Sequence, residues 1–249
     1  MEGKNAWAKD CGPPPHGISS GFNENNLDTT YPHFVSYSCM LGYERASGQT
    51  SIQCQESGQW ESDILICKPK PCGNTPLDVI FVVDQSSSAD PDNFSKMKNG
   101  IADFISSSFV VSPMEVNVGV VAFSSDQADI ILRSSDPNQL LTDIRALMQR
   151  GGSANFALGI SKAVDDFSRG SRSGTPKVMI LLSGGKSIGS SQIAANAAKA
   201  KGINIFTIGI GPGVDKAELR EIASDHSKAR FVDTFDEIRD VLVVKDLCQ

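Results

Sequence analysis
Residues 78–94 read DVIFVVDQSSSADPDNF: an uninterrupted apolar run, Val79 to Val83, that stops on Asp84 and is followed by Ser86 and Ser88. An apolar run of strand length with no alternation predicts a strand buried on both faces. Three more such runs follow, VNVGVVAFS at 116–124, KVMILLS at 177–183 and INIFTIGIG at 203–211. Between and after them apolar residues recur at helical spacing. One set is Phe94, Met97, Ile101, Phe104 and Ile105, a second is Ala157, Ile160, Val164 and Phe167, and a third is Phe235, Ile238 and Leu242. Apolar strands alternating with amphipathic helices predict an α/β, doubly wound, mostly parallel sheet with helices on both faces. Ligand sites of such sheets lie beyond the carboxyl ends of the strands, where Asp84 falls. Asp84, Ser86 and Ser88 point the same way if the loop stays extended. Asp-x-Ser-x-Ser then suits Mg²⁺, which takes about six oxygen ligands, few of them carboxylates. By itself this pattern is weak, because a serine-rich turn after a strand is common and Asp84 can simply cap that turn.

Composition narrows the function classes. The chain has 249 residues and is 40% hydrophobic, enough for one large or two smaller domains with a sizeable core. Its net charge of −6 is spread along the chain, and no basic block stands out. Nucleic acid and anionic membrane are therefore not expected as principal partners. The longest apolar runs fall far short of the roughly 20 residues that span a bilayer.

The six cysteines are Cys11, Cys39, Cys54, Cys67, Cys72 and Cys248. A zinc site would want close Cys or His pairs, and none is present. Four cysteines crowded early and two bracketing the rest favour disulfides and a secreted, extracellular chain, although six cysteines allow fifteen pairings. Residues 11–67 are rich in turn formers (CGPPPHG, ASGQ, ESGQW) between short alternating runs, and predict a small all-β, disulfide-stapled module. This segment resembles a sushi, or complement control protein, module: Tyr37-x-Cys39, Gly42-Tyr43 and Gly58-x-Trp60 stand ahead of the last cysteine. The resemblance implies the pairs Cys11–Cys54 and Cys39–Cys67, a core position for Trp60 and a protein-binding or spacer role. Residues 1–10 then form a tail, KPKP at 68–71 a short stiff linker, and 72–249 the α/β domain. That domain is expected to be closed by Cys72 and Cys248, a bond worth on the order of 4 kcal/mol on the loop-entropy view.

Over residues 76–247 the chain resembles a von Willebrand factor A domain. The likeness is carried by LDVIFVVDQSSSADPDNF, VGVVAFSS, RGGSANFALGI, VMILLSGG and INIFTIGIG. In that family a metal ion adhesion site adds a Thr from Gly-Gly-x-Thr-Asn and an Asp from Thr-Asp-Gly to the Asp-x-Ser-x-Ser set. Here the corresponding segments read Gly151-Gly152-Ser153-Ala154-Asn155 and Ser183-Gly184-Gly185, so Ala154 and Gly184 replace the two ligands. The candidate metal residues are Asp84, Ser86 and Ser88, with Ser153, Ser183 and Asp90 as stand-ins. Mg²⁺ or another divalent cation is the one cofactor this set suggests, weakly held or absent.

Gly185-Lys186-Ser187-Ile188-Gly189 matches the nucleophile elbow of hydrolases, with Asp215 and His226 following in order. It sits, however, where the resemblance puts the Thr-Asp-Gly loop, and His226 is expected near a helix end in AELREIASDHSK. A phosphate loop there would need a glycine where Ile180 stands. The sequence holds one N-glycosylation acceptor, Asn93-Phe94-Ser95, which also starts the first α/β helix. The expected function is a secreted, non-catalytic matrix or adhesion protein binding extracellular proteins, collagen-like or matrix partners being what the resemblance implies. Sushi modules followed by a von Willebrand domain also resemble the regulatory part of a complement factor B-like protease.

Overall fold
The computed structural model describes residues 9–17, 20–22, 27–40, 43–69, 76–133, 136–242 and 244–247. The chain divides into two units, 1–74 and 75–249.

In the first unit, β1 (Ser20–Phe22), β2 (Phe34–Cys39) and β4 (Ser51–Gln53) form one antiparallel sheet, and β3 (Tyr43–Ser47) pairs with β5 (Ile66–Pro69) in another. The alternation along β2 sorts its side chains: Val35 and Tyr37 are buried, whereas Phe34, Ser36 and Ser38 face solvent. Val35, Tyr37, Ile52, Leu65 and Cys67 make the core, with Trp60 packed against it and its indole N–H donating to the Gly12 carbonyl at 3.0 Å. So small a core relies on covalent support, and disulfides Cys11–Cys54 and Cys39–Cys67 supply it. β5 runs on through Lys68 and Pro69, which pair with Glu44 and Tyr43, so the first half of the expected linker is strand. Cys72 and Cys248 lie outside the described residues, and the expected bond between them with them.

The second unit is built on a six-stranded sheet of β6 (Leu77–Asp84), β7 (Val116–Phe123), β8 (Ala128–Arg133), β9 (Lys177–Ser183), β10 (Ile203–Ile210) and β11 (Ala229–Val232), ordered β11-β10-β9-β6-β7-β8. All neighbours are parallel except β8, which runs antiparallel at one edge. Every residue of the central β6 is buried, as its apolar run predicts. Around the sheet lie α1 (Pro91–Ser108), α2 (Pro137–Arg145), α3 (Phe156–Gly170), α4 (Gln192–Ala200), α5 (Lys216–Ile222), α6 (Ile238–Val241) and α7 (Val244–Leu247).

The helical stripes find opposite faces of the sheet. Phe104 of α1 meets Phe81 edge-on, while Ile160 and Phe167 of α3 join Ile80, Val82, Met179 and Leu181 in one core cluster. Alternating residues of β6 thus serve both layers. α3 lies close on the sheet because Gly159 has no Cβ; one placed there would come within 2.6 Å of the Phe123 ring. Two helical expectations shift. Phe156 takes the α3 core position beside the half-buried Ala157. Phe235, Ile238 and Leu242 are buried, but Phe235 sits in a 3₁₀ turn (Phe235–Glu237), Ile238 in the single turn of α6 and Leu242 just after it, not in one continuous helix.

Candidate functional site
Parallel registry collects the site at one end of the sheet. Val83 pairs with Leu182, so the next residues, Asp84 and Ser183, emerge side by side at the carboxyl ends of β6 and β9. Asp84 and Ser183 are both buried. The loop after Asp84 does not stay extended. One carboxylate oxygen of Asp84 accepts the Ser86 backbone N–H at 2.9 Å, an Asx turn that folds the chain back, and the other accepts the Ser88 hydroxyl at 2.6 Å. That second oxygen also accepts the Ser183 hydroxyl at 2.5 Å. Ser86 Oγ takes the Ser88 N–H, and Ser183 Oγ takes the Gly185 N–H. The candidate residues Asp84, Ser86, Ser88 and Ser183 are therefore one hydrogen-bonded set.

The other stand-ins are engaged elsewhere or face solvent. Asp90 caps α1, its carboxylate accepting the backbone N–H and the side-chain amide of Asn93 at 2.8 and 3.0 Å. Ser153 is exposed.

Neighbouring loops are tied to this set by contacts the sequence pattern does not reveal. Gln149 Nε2 donates to the carbonyls of Ser86 and Ala89 at 2.8 and 2.7 Å, and Gly152 O accepts the Ser87 N–H. Ala154 bridges Ser187 in parallel, with the Ile188 N–H donating to Ala154 O and the Phe156 N–H to Ser187 Oγ. Glu218, from α5, accepts the hydroxyl of Ser191 at 2.7 Å and lies 3.4 Å from the Ser187 N–H. The segments that carry Ala154 and Gly184, where the family resemblance places metal ligands, are thus joined by main chain.

The donor set does not fit a tightly held divalent ion. It has one carboxylate, and Asp84 already accepts three hydrogen bonds from within the loop set. A second carboxylate at Gly184 would need its neighbours to give by a few tenths of an ångström. A Cβ at Gly184 would stand 3.1 Å from the Phe235 ring and 3.2 Å from Ser88 O, and one at Gly185 would come within 2.6 Å of Ser88 Cβ. Among the described residues no group of three or more His, Cys, Asp or Glu could hold a metal.

The hydrolase pattern is spread over separate duties. Ser187 Oγ accepts from the Phe156 N–H, Asp215 caps α5 through the N–H groups of Ala217 and Glu218, and His226 opens an exposed 3₁₀ turn, not the end of α5.

A sheet of this order, with an Asp-x-Ser-x-Ser loop at the carboxyl end of its central strand, accompanies a match of residues 78–243 to the family model for the von Willebrand factor type A domain. The chain belongs to the von Willebrand factor type A domain family. Residues 11–67 match the Sushi repeat. The chain is 33% identical to the human collagen alpha-1(XXI) chain over 225 residues, 87% of this chain and 22% of that one. To mouse matrilin-1 it is 33% identical over 209 residues, 75% of this chain and 41% of that one. It thus spans less than half the length of these relatives. Among solved structures, proximal thread matrix protein 1 from the mussel byssus, with a zinc-occupied MIDAS motif, superposes with a TM-score of 0.63 at 27% identity, covering 71% of this chain and 46% of that one. Manganese-loaded TRAP protein of Plasmodium vivax shares the fold at a TM-score of 0.57 and 20% identity, over 70% of this chain and 74% of that one. Divalent metals thus occur in von Willebrand A domains of this fold.

Proposed function
We propose that this chain acts outside the cell as a non-catalytic matrix or adhesion protein, its von Willebrand A and Sushi units binding collagen-like or other matrix proteins without a bridging metal. Its relatives include collagen chains and matrilin-1, and a thread matrix protein shares its fold. The observation that carries the metal-free reading is the donor set: Asp84 is its one carboxylate, joined to Ser88 and Ser183, and Gly184 packs against Ser88 where the family resemblance places a second carboxylate. One carboxylate beside neutral hydroxyls holds a divalent ion too weakly to bridge to an acidic group of the partner. Contact areas of protein size, not one ion, then supply the affinity.

The test is solid-phase binding of the chain to a panel of purified matrix proteins that includes fibrillar collagens, in Mg²⁺ and in EDTA. Saturable binding equal in both is expected. Binding lost in EDTA overturns the metal-free reading, and no binding across the panel overturns the matrix reading.

A further inference from the structure
We infer that Asn93 carries an N-linked glycan, and that this glycan fills the cleft beside the serine loop. The inference rests on the extracellular reading above, since the acceptor must enter the secretory pathway. Asn93-Phe94-Ser95 lies in the first turn of α1, where Phe94 is 3% exposed and points into the core. Its neighbours Asn93 and Ser95 stand about 100° round the helix to either side of it, and both are partly exposed.

Asn93 borders a solvent-open cleft of about 370 Å³, together with Ser88, Lys96, Gly184, Asp233 and Asp236. That volume falls within the range of small-ligand clefts, roughly 300–1,000 Å³. Its wall suits a sugar. The carboxylates of Asp90 and Asp233 can accept from sugar hydroxyls and an acetamido N–H, whereas Lys96 and Asp236 are joined to each other at 2.8 Å.

The helix cap tolerates the modification. The Asn93 backbone N–H already donates to one oxygen of Asp90, and only the side-chain amide, 3.0 Å from the other, changes. In the transfer, the amide nitrogen loses one proton and forms a bond to the sugar C1. The C1–oxygen bond of a lipid diphosphate-linked oligosaccharide breaks, and the lipid diphosphate leaves. The substituted amide keeps one N–H, so its hydrogen bond to Asp90 can persist.

A glycan rooted here would stand over the edge where Gly184 meets Ser88. Partners would then be received by other parts of the two units.

The experiment is synthesis of the full chain behind a heterologous signal sequence, in animal cells and in a translation system with microsomes. Intact mass, peptide mapping and peptide N-glycosidase treatment are then applied. A glycan mass that vanishes in Asn93→Gln and Ser95→Ala, with glycosidase turning Asn93 into aspartate, is expected. Slower hydrogen exchange at 210–213 and 233–236 in the glycosylated chain, relative to Asn93→Gln, would place the sugar in the cleft. A chain that enters microsomes and keeps Asn93 unmodified overturns the site. Equal exchange in both forms overturns the placement. If the protein's own full-length product stays inside cells, the extracellular reading fails, while the microsomal result still decides the acceptor.

Discussion

Ser183 and Asp84, 99 residues apart in the chain, meet through a 2.5 Å hydrogen bond in which the hydroxyl donates to a carboxylate that is 1% exposed. The bond connects the ends of β6 and β9, and Asp84 is the one carboxylate of the set. Titration calorimetry of Mg²⁺, Mn²⁺ and Ca²⁺ into the chelator-treated chain is therefore expected to show no saturable heat at submillimolar concentration. Ser183→Ala leaves a buried carboxylate short of one donor and is expected to cost about 1–3 kcal/mol in urea unfolding. Saturable binding that Asp84→Ala abolishes would sink the metal-free reading.

The two replaced positions can be put back. Gly184→Asp alone drives a Cβ against Phe235 and Ser88 O, and overpacking of this kind costs about 1–3 kcal/mol. Paired with Ala154→Thr it restores the family's hydroxyl and carboxylate. The double variant is expected to melt lower than the natural chain in EDTA and to regain part of the loss on adding Mg²⁺. An equal Mg²⁺ response in the natural chain would show that the original set already binds the ion.

Much of the fold was legible because its signals are local. Four largely apolar runs announced β6, β7, β9 and β10, and Phe94 to Ile105 announced α1. β11 escaped because Ala-Arg-Phe-Val is short and interrupted by Arg230, and β8 because its apolar run is only Ile130 to Leu132. In the site, Asp84, Ser86 and Ser88 could be read from one loop, and Ser183 from its place at a strand end. Gln149 and Glu218 could not. Their roles depend on which loops the sheet order brings together, and a lone Gln or Glu in a polar segment carries no mark of its partner.

At the opposite end of β6 from Asp84, Asp78 is 1% exposed and holds Arg172 through Nε at 3.0 Å and Nη2 at 2.9 Å. The same guanidinium donates to the carbonyls of Leu77, Pro113 and Glu115. Removing one partner of a buried pair strands the other, which typically costs about 3–5 kcal/mol. Arg172→Ala is expected to fall near the lower figure, because the arginine side chain is 25% exposed. A loss under about 1 kcal/mol in chemical denaturation, the level of a surface ion pair, would show that the clamp is solvated.

Reduction should affect the Sushi unit more than the von Willebrand unit's sheet. The small core of Val35, Tyr37, Ile52 and Leu65 rests on Cys11–Cys54 and Cys39–Cys67, and loss of native disulfides from a small domain costs about 2–5 kcal/mol. Under reductant, amide exchange is expected to rise across residues 11–67 while β6 and β9 stay protected. Protection that survives in 34–54 would mean the core stands without its bonds.

Burial raises the Tyr37 phenol above its ordinary value, and its hydroxyl donates to Pro15 O at 2.7 Å. In the unfolded chain the phenol ionises near pH 10. The folded state keeps its proton longer, so Tyr37 contributes stability in full below pH 10, and this is lost as pH rises through the raised folded value. The Sushi unit is therefore expected to weaken on the alkaline side. Tyr37→Phe should flatten that dependence while losing about 1 kcal/mol at neutral pH with the hydrogen bond. Phenolate absorbance of the chain minus that of Tyr37→Phe isolates this one of the three tyrosines. A midpoint at or below pH 10, or an alkaline limb unchanged in the variant, would show that Tyr37 is not the group that titrates.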